Sequence, residues 1–253
     1  MDPLVLPLAY KFVATAAMLV EINYCASNLN LSCGLPVNRE SLRLEYVTSP
    51  SIAGFGGALE TDAFSFMFSG SGRLRYISRK QNRFAGMSPD KIQEEIDQKV
   101  SSLTKSEAYT LATNWLSSIS VDVRALDKKY AAVVAQTPLY LDGRQFPEKG
   151  TYDTQQPIFH VDWGGSRAPA VRVAIYAPSR ELLGLYQEDE SFSGRPRDLL
   201  RNLDDLLMIP DEKFEKFSAS ERASLAAQYF SSSTGIAPAP SSPRPNEISP
   251  PQK

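Results

Sequence analysis

The sequence predicts an α+β protein, two units of helix laid on antiparallel sheet followed by C-terminal helices and a disordered tail. Three observations predict it. Leu8, Phe12, Thr15, Leu19, Ile22 and Leu29 recur near the helical period, so roughly residues 8–30 form a long apolar helix. Two alternating runs, LETDAFSFMFS and RLRYISR, flank Gly70-Ser71-Gly72 and so form a β-hairpin. A second capped helix is then followed by four more alternating runs.

Asn30 and Gly34-Leu35-Pro36 stop the first helix. Leu42, Leu44 and Tyr46 alternate with charged residues, the pattern of a half-buried strand. In the hairpin, Phe64, Phe66 and Phe68 share one face, and Leu74 and Tyr76 share the corresponding one. Ser88-Pro89 has the chemistry of an N-cap and first helical position and opens a polar helix. Thr104 to Glu107 is a capping box, in which each side chain satisfies an orphan amide of the other's backbone. The helix beyond it buries Ala108, Leu111, Ala112, Trp115, Leu116 and Ile119, and a short helix lies within Val121 to Tyr130.

VVAQTPLYL, IFHVDW, AVRVAIYA and ELLGLYQE read as four strands, with a polar loop between Asp142 and Pro157. Pro196 to Met208 reads as a helix burying Leu199, Leu200, Leu203 and Leu206 or Leu207. Ser218 to Glu221 is a second capping box, opening a helix with Ala223, Leu225, Ala226 and Phe230. From Ser231 onward Ser, Pro and Ala dominate, too little apolar surface to offset ordering entropy. The expected divisions are 1–87, 88–192, 193–230 and a tail at 231–253, with units one and two repeating one order of elements.

Composition excludes some functions. With 27 basic against 29 acidic residues the net charge is -2, so nothing drives the chain onto nucleic acid. The densest basic run, Arg73, Arg75, Arg79, Lys80 and Arg83, reads as the solvated face of a strand leading into a loop, with a phosphate-binding patch as the alternative. No stretch reaches a transmembrane length, since Lys11 interrupts Pro3 to Val20. Asp2 stands where a signal peptide carries basic charge, so the chain as written reads as cytoplasmic, or as periplasmic or extracellular if an upstream signal has been lost. Cys25 and Cys33 are too few for a zinc site; Cys25 reads as a small buried apolar residue, and a bridge between the two is the alternative for an exported chain.

His160 is the only histidine, so nucleophilic or acid–base chemistry of the familiar kind would have to use it. In FHVDW it shares a strand face with Asp162, which would orient it as a general base; the simpler reading is a solvent-facing position beside an exposed acid. Gly54 to Gly57 lacks the Gly-Lys-Ser/Thr ending of a phosphate loop. Glu188, Asp189 and Glu190 lack the spacing of a calcium loop. No cofactor or metal is therefore expected. Phe64, Phe66 and Phe68 read as core, or as a partner surface if no helix covers them.

The second unit resembles a PepSY-type domain. The resemblance is carried by Thr104-Lys105-Ser106-Glu107-Ala108 opening a helix with Ala112, then Phe159-His160-Val161, Val171 to Tyr176, a turn and Glu181-Leu182-Leu183. It covers roughly 103–188 and, more faintly, 40–80. Tyr176 stands where the pattern has an acidic residue, and Arg180 where it has the turn glycine. The whole chain also resembles uncharacterised bacterial proteins of the same helix–sheet–helix–sheet order. The resemblance implies inhibition or chaperoning of a peptidase, or ligand binding, and carries over no catalytic residues. The expected function is thus a non-enzymatic protein- or peptide-binding protein, with a hydrolase using His160 and Asp162, or a structural envelope component, as alternatives.

Overall fold

The computed structural model describes residues 6–48, 56–69, 72–80, 103–139, 154–165, 168–194 and 203–234. In chain order these form α1 (Leu8–Asn28), β1 (Leu44–Thr48), β2 (Gly56–Glu60), β3 (Phe64–Phe68), β4 (Leu74–Arg79), α2 (Lys105–Ser118), α3 (Val123–Lys129), β5 (Ala132–Leu139), β6 (Thr154–Trp163), β7 (Val171–Tyr176), β8 (Glu181–Gln187), α4 (Asp211–Glu215) and α5 (Ala219–Thr234). Short 3-10 turns at Arg39–Ser41, Glu190–Phe192 and Asp204–Met208 complete the path.

All eight strands join one antiparallel sheet in the order β1-β2-β3-β4-β8-β7-β6-β5. The first half is α1 followed by a four-stranded meander, and the second is α2 and α3 followed by another. The halves meet where β4 pairs with β8, Ile77 opposite Leu185. One cross-strand row runs through six of the eight strands: Leu59, Phe66, Ile77, Leu185, Val173 and Val161 are successive partners. All six are essentially inaccessible, and burying a side chain of this size contributes roughly 1.5–3 kcal/mol. Strand alternation sends this whole row to one face once the register is set.

Helices α1 and α2 cover that inner face. Thr15 Oγ1 of α1 donates to Glu45 of β1 at 2.6 Å. A β-carbon on Gly57 would come within 2.7 Å of the Met18 sulfur, so α1 lies directly on β2. At the other end Trp163 Nε1 donates to Asp127 of α3 at 2.7 Å, and Tyr109 of α2 donates to the other oxygen of that carboxylate at 2.5 Å. That bond holds the Tyr109 hydroxyl at a pKa of about 12. α4 and α5 pack on α1 as an outer layer, with Phe12 and Phe214 ring centroids 5.7 Å apart.

Several expectations are met and several corrected. Thr104 and Glu107 form the capping box reciprocally, as do Ser218 and Glu221. The run LETDAFSFMFS is two strands and not one. Thr61 N donates to Phe64 O at 2.9 Å and the Thr61 hydroxyl accepts from Phe64 N at 3.0 Å, closing a turn inside the run. Thr154 to Pro157, expected in a loop, lie in β6. The expected 196–208 helix is a 3-10 turn at Asp204–Met208; residues 195–202 lie outside the described residues. α4 was not anticipated. Ala223 is exposed, whereas Ala226 is buried, and the α5 backbone extends through Ser231 to Thr234, into the segment assigned to the tail. The helix opened by Ser88-Pro89, most of the 142–157 loop and the tail beyond 234 lie outside the described residues. Among the described residues no helix is long and apolar enough to cross a membrane.

Candidate interaction surface

Phe64, Phe66 and Phe68 alternate onto the inner face, where they are 2, 0 and 6% exposed. They are core beneath the helix layer, so the reading of them as a partner surface does not hold. Cys25 is buried and Cys33 half-buried, and neither is in a disulfide; burial raises the Cys33 pKa, which leaves it less thiolate than usual. Gly56 and Gly57 lie within β2, where they admit Thr48 and Met18 of neighbouring elements.

The basic run on and beside β4 is neutralised residue by residue. Arg73 is buried and sits 4.0 Å from the buried Glu21 of α1. Arg75 contacts Glu188 and lies over the Tyr186 ring, its guanidinium carbon 5.7 Å from the centroid. Arg79 meets Glu181 at 2.8 Å and Lys80 meets Glu60 at 2.6 Å. Each cation has a carboxylate partner, so they form no unopposed phosphate patch; Arg83 lies outside the described residues. Contrary to the reading as a solvated face, Arg73 is 5% exposed, because it crosses from β4 to α1.

The acidic trio disperses in the same way. Glu188 takes Arg75 and the Tyr186 hydroxyl. Asp189 accepts from Lys129 at 2.8 Å and caps the Glu190–Phe192 turn through Ser191 N at 3.0 Å. The Lys129 bond, then Ser191, lower its pKa to about 2. Among the described residues no group of three potential ligands gathers for a metal.

His160 and Asp162 share the outer face, as alternation requires, but their environments differ. Asp162 is 3% exposed, not the exposed acid of the simpler reading. Its two oxygens accept from Arg172 Nε at 2.7 Å and Nη2 at 2.8 Å, a bidentate pair between cross-strand neighbours. His160 sits between Ala135 and Ala174 on the adjacent strands, its Nδ1 buried without a hydrogen-bond partner. Burial first, then the Arg172 charge, lower its pKa. The carboxylate that would orient this imidazole is engaged by the guanidinium instead.

Sequence reasoning missed what the outer face assembles. A second cross-strand row runs Tyr46, Ala58, Met67, Tyr76, Tyr186, Arg172, Asp162 and Val133. Tyr46 is 53% exposed and Met67 49%, and Leu44, two residues from Tyr46 on the same face, is 43% exposed. Tyr76 and Tyr186 meet edge to face with centroids 6.4 Å apart. The face thus has exposed Leu44, Tyr46 and Met67 at the β1–β3 end, and the Asp162–Arg172 pair, half-buried His160 and exposed Val133 at the other. Period-2 alternation marks each of these positions as outward, but only strand register makes them neighbours.

A crevice of about 440 Å³ opens on the helix side, at the end of the sheet where the two halves meet. Leu31, Phe64, Trp115 and Leu182 line it, with Arg79 and Arg180. Arg180 has φ +55, the left-handed region. Of the other two residues beside glycine with this backbone among those described, Asn30 and Ser120, each closes a helix end, Leu31 N returning to Ala26 O and Val121 N to Leu116 O at 2.9 Å. Arg180 likewise closes the four-residue turn between β7 and β8, whose flanking residues Tyr176 and Glu181 are cross-strand partners. Its side chain reaches Glu107 in the α2 capping box at 3.1 Å, an exposed ion pair.

Compared with known proteins, the chain matches no family model, no curated protein and no solved structure.

Proposed function

We propose that this chain is a non-enzymatic interaction protein that binds another polypeptide across the outer face of its sheet, its two halves being PepSY-like units fused edge to edge. The observation that carries the reading is the outer row from Tyr46 through Met67 and Tyr76 to Tyr186 and Arg172. These are the residue types enriched in protein interfaces, where large rigid groups lose little entropy on contact. Tyr46 and Tyr186 stand four strand steps apart, roughly 19 Å at about 4.8 Å per step. The charges nearby are matched within the chain, Arg172 with Asp162, Arg75 with Glu188 and Lys80 with Glu60, which favours an apolar, weakly charged partner surface. The like order of helix and meander in the two halves supports the fused-unit reading.

The test places a photoreactive side chain at Tyr46 or Met67, and as control at Asn114, exposed on α2, in cells that make the protein. Adducts to one defined polypeptide are expected from the first two positions and not from the third. Met67→Arg should then lower affinity for that polypeptide at least roughly tenfold, about 1.4 kcal/mol, with the melting temperature unchanged. Equal adducts from Asn114, or full binding by the Met67→Arg protein, would defeat the reading.

A further inference from the structure

We infer that the open edge of β1 is an interface with a second copy of this chain, the two β1 strands pairing antiparallel about a two-fold axis at Tyr46. β1 ends the sheet order and pairs with β2 alone among the described strands, so its other edge presents backbone groups to which a further strand can bond. Sheets ordinarily blunt such an edge with proline, a bulge or charge. The opposite edge strand, β5, carries Pro138 and a register shift beside it. β1 runs in unbroken register with β2 and holds neither proline nor lysine. Its one charged residue, Glu45, points to the inner side, where Thr15 and Arg39 already engage the carboxylate at 2.6 and 2.9 Å, so an approaching strand has no charge there to desolvate afresh.

The strand is complementary to itself. With the axis at Tyr46, Tyr46 meets Tyr46, Leu44 meets Thr48 and Glu45 meets Val47. Outward residues then face outward ones, an aromatic pair stands at the centre, and no like charges are opposed. Leu44 and Tyr46, both exposed in the single chain, gain cross-strand neighbours. Charge beside the strand is matched as well: Arg43 donates to the two oxygens of Asp62 at 2.7 and 3.0 Å, and the net charge of -2 leaves only weak repulsion between copies. A two-fold contact occupies the same edge on both copies, and with β5 blunted the assembly closes at two. It sets the two outer faces side by side, but it depends on backbone pairing at β1 and not on what binds those faces.

The experiment measures the mass of the full chain by light scattering after size exclusion, from about 1 to about 100 µM. A rise with concentration to twice the monomer mass is expected. Tyr46→Lys sets two lysines against each other across the axis and should weaken association at least roughly tenfold. Met67→Arg, two strands in from the edge, should leave it unchanged. Oxidation reads the register: Tyr46→Cys should give a covalent dimer on a non-reducing gel, because residues on the axis stand within disulfide reach, whereas Met67→Cys and the unaltered chain, with Cys25 and Cys33, should not. A mass that stays monomeric, undiminished association of the Tyr46→Lys protein, loss of association in Met67→Arg, or covalent dimers from Met67→Cys as readily as from Tyr46→Cys would each overturn the proposal. A monomeric chain that still forms the Met67 adduct would sink the dimer and leave the outer-face reading standing; a dimer without that adduct would do the reverse.

Discussion

Removing the Asp162 carboxylate separates two readings of the outer face, because Asp162 has two potential partners and the structure gives it only one. Asp162→Ala deletes both hydrogen bonds to Arg172, at 2.7 and 2.8 Å. Breaking a fully buried ion pair costs about 3–5 kcal/mol, much of it the desolvation of the charge left behind. Here Asp162 is buried, but the Arg172 side chain is 34% exposed, so water recovers part of the loss and about 2 kcal/mol is expected. A double-mutant cycle by urea unfolding measures the partnership directly. Asp162→Ala and Arg172→Ala should couple by about 1.5 kcal/mol or more, and Asp162→Ala with His160→Ala by no more than about 0.5 kcal/mol. The slope against urea should stay constant, so that midpoints report stability alone. A coupling to His160 as large as that to Arg172 would refute this account and restore the histidine–carboxylate dyad.

Two further outcomes follow from the geometry. Gly57→Ala forces a β-carbon to within 2.7 Å of the Met18 sulfur and 3.2 Å of Tyr46 O, and Met18 is inaccessible; overpacking should cost about 1–3 kcal/mol in urea unfolding, and an unchanged midpoint would show that α1 lies looser on β2. His160 has a folded pKa below its ordinary value of about 6.5, so at lower pH the unfolded chain takes a proton that the folded chain resists, and stability falls as pH drops below that value and on through the folded one. His160→Gln should flatten the difference in stability between about pH 7.5 and about pH 5.5, and an undiminished slope in that variant would assign it to other groups.

Much of the fold was legible because its signals are local. Thr104 and Glu107 satisfy each other's backbone within one turn, so the start of α2 was readable at the level of four residues. The alternation of Phe64, Phe66 and Phe68 fixed their common face, and that of Phe159, Val161 and Trp163 theirs. The hairpin hidden in LETDAFSFMFS was not legible, since Thr61-Asp62-Ala63 carries neither glycine nor proline and turns through the Thr61 hydroxyl. The fate of the charged residues was less legible still. Arg73, Arg75, Arg79 and Lys80 look like a solvated stripe until Glu21, Glu188, Glu181 and Glu60, distant in sequence, come beside them.

Periodicity and capping chemistry alone determined an α+β chain with helices near 8–30 and 105–118 and the inward face of most strands, because these depend on neighbours within a few residues. Tertiary structure decided that the strands make one sheet through β4 and β8, that Asp162 serves Arg172, and that Tyr46, Met67, Tyr76 and Tyr186 stand in a row. The physical reason is register. A strand's pattern says which way each side chain points, but only its hydrogen bonds to another strand say what lies next to it.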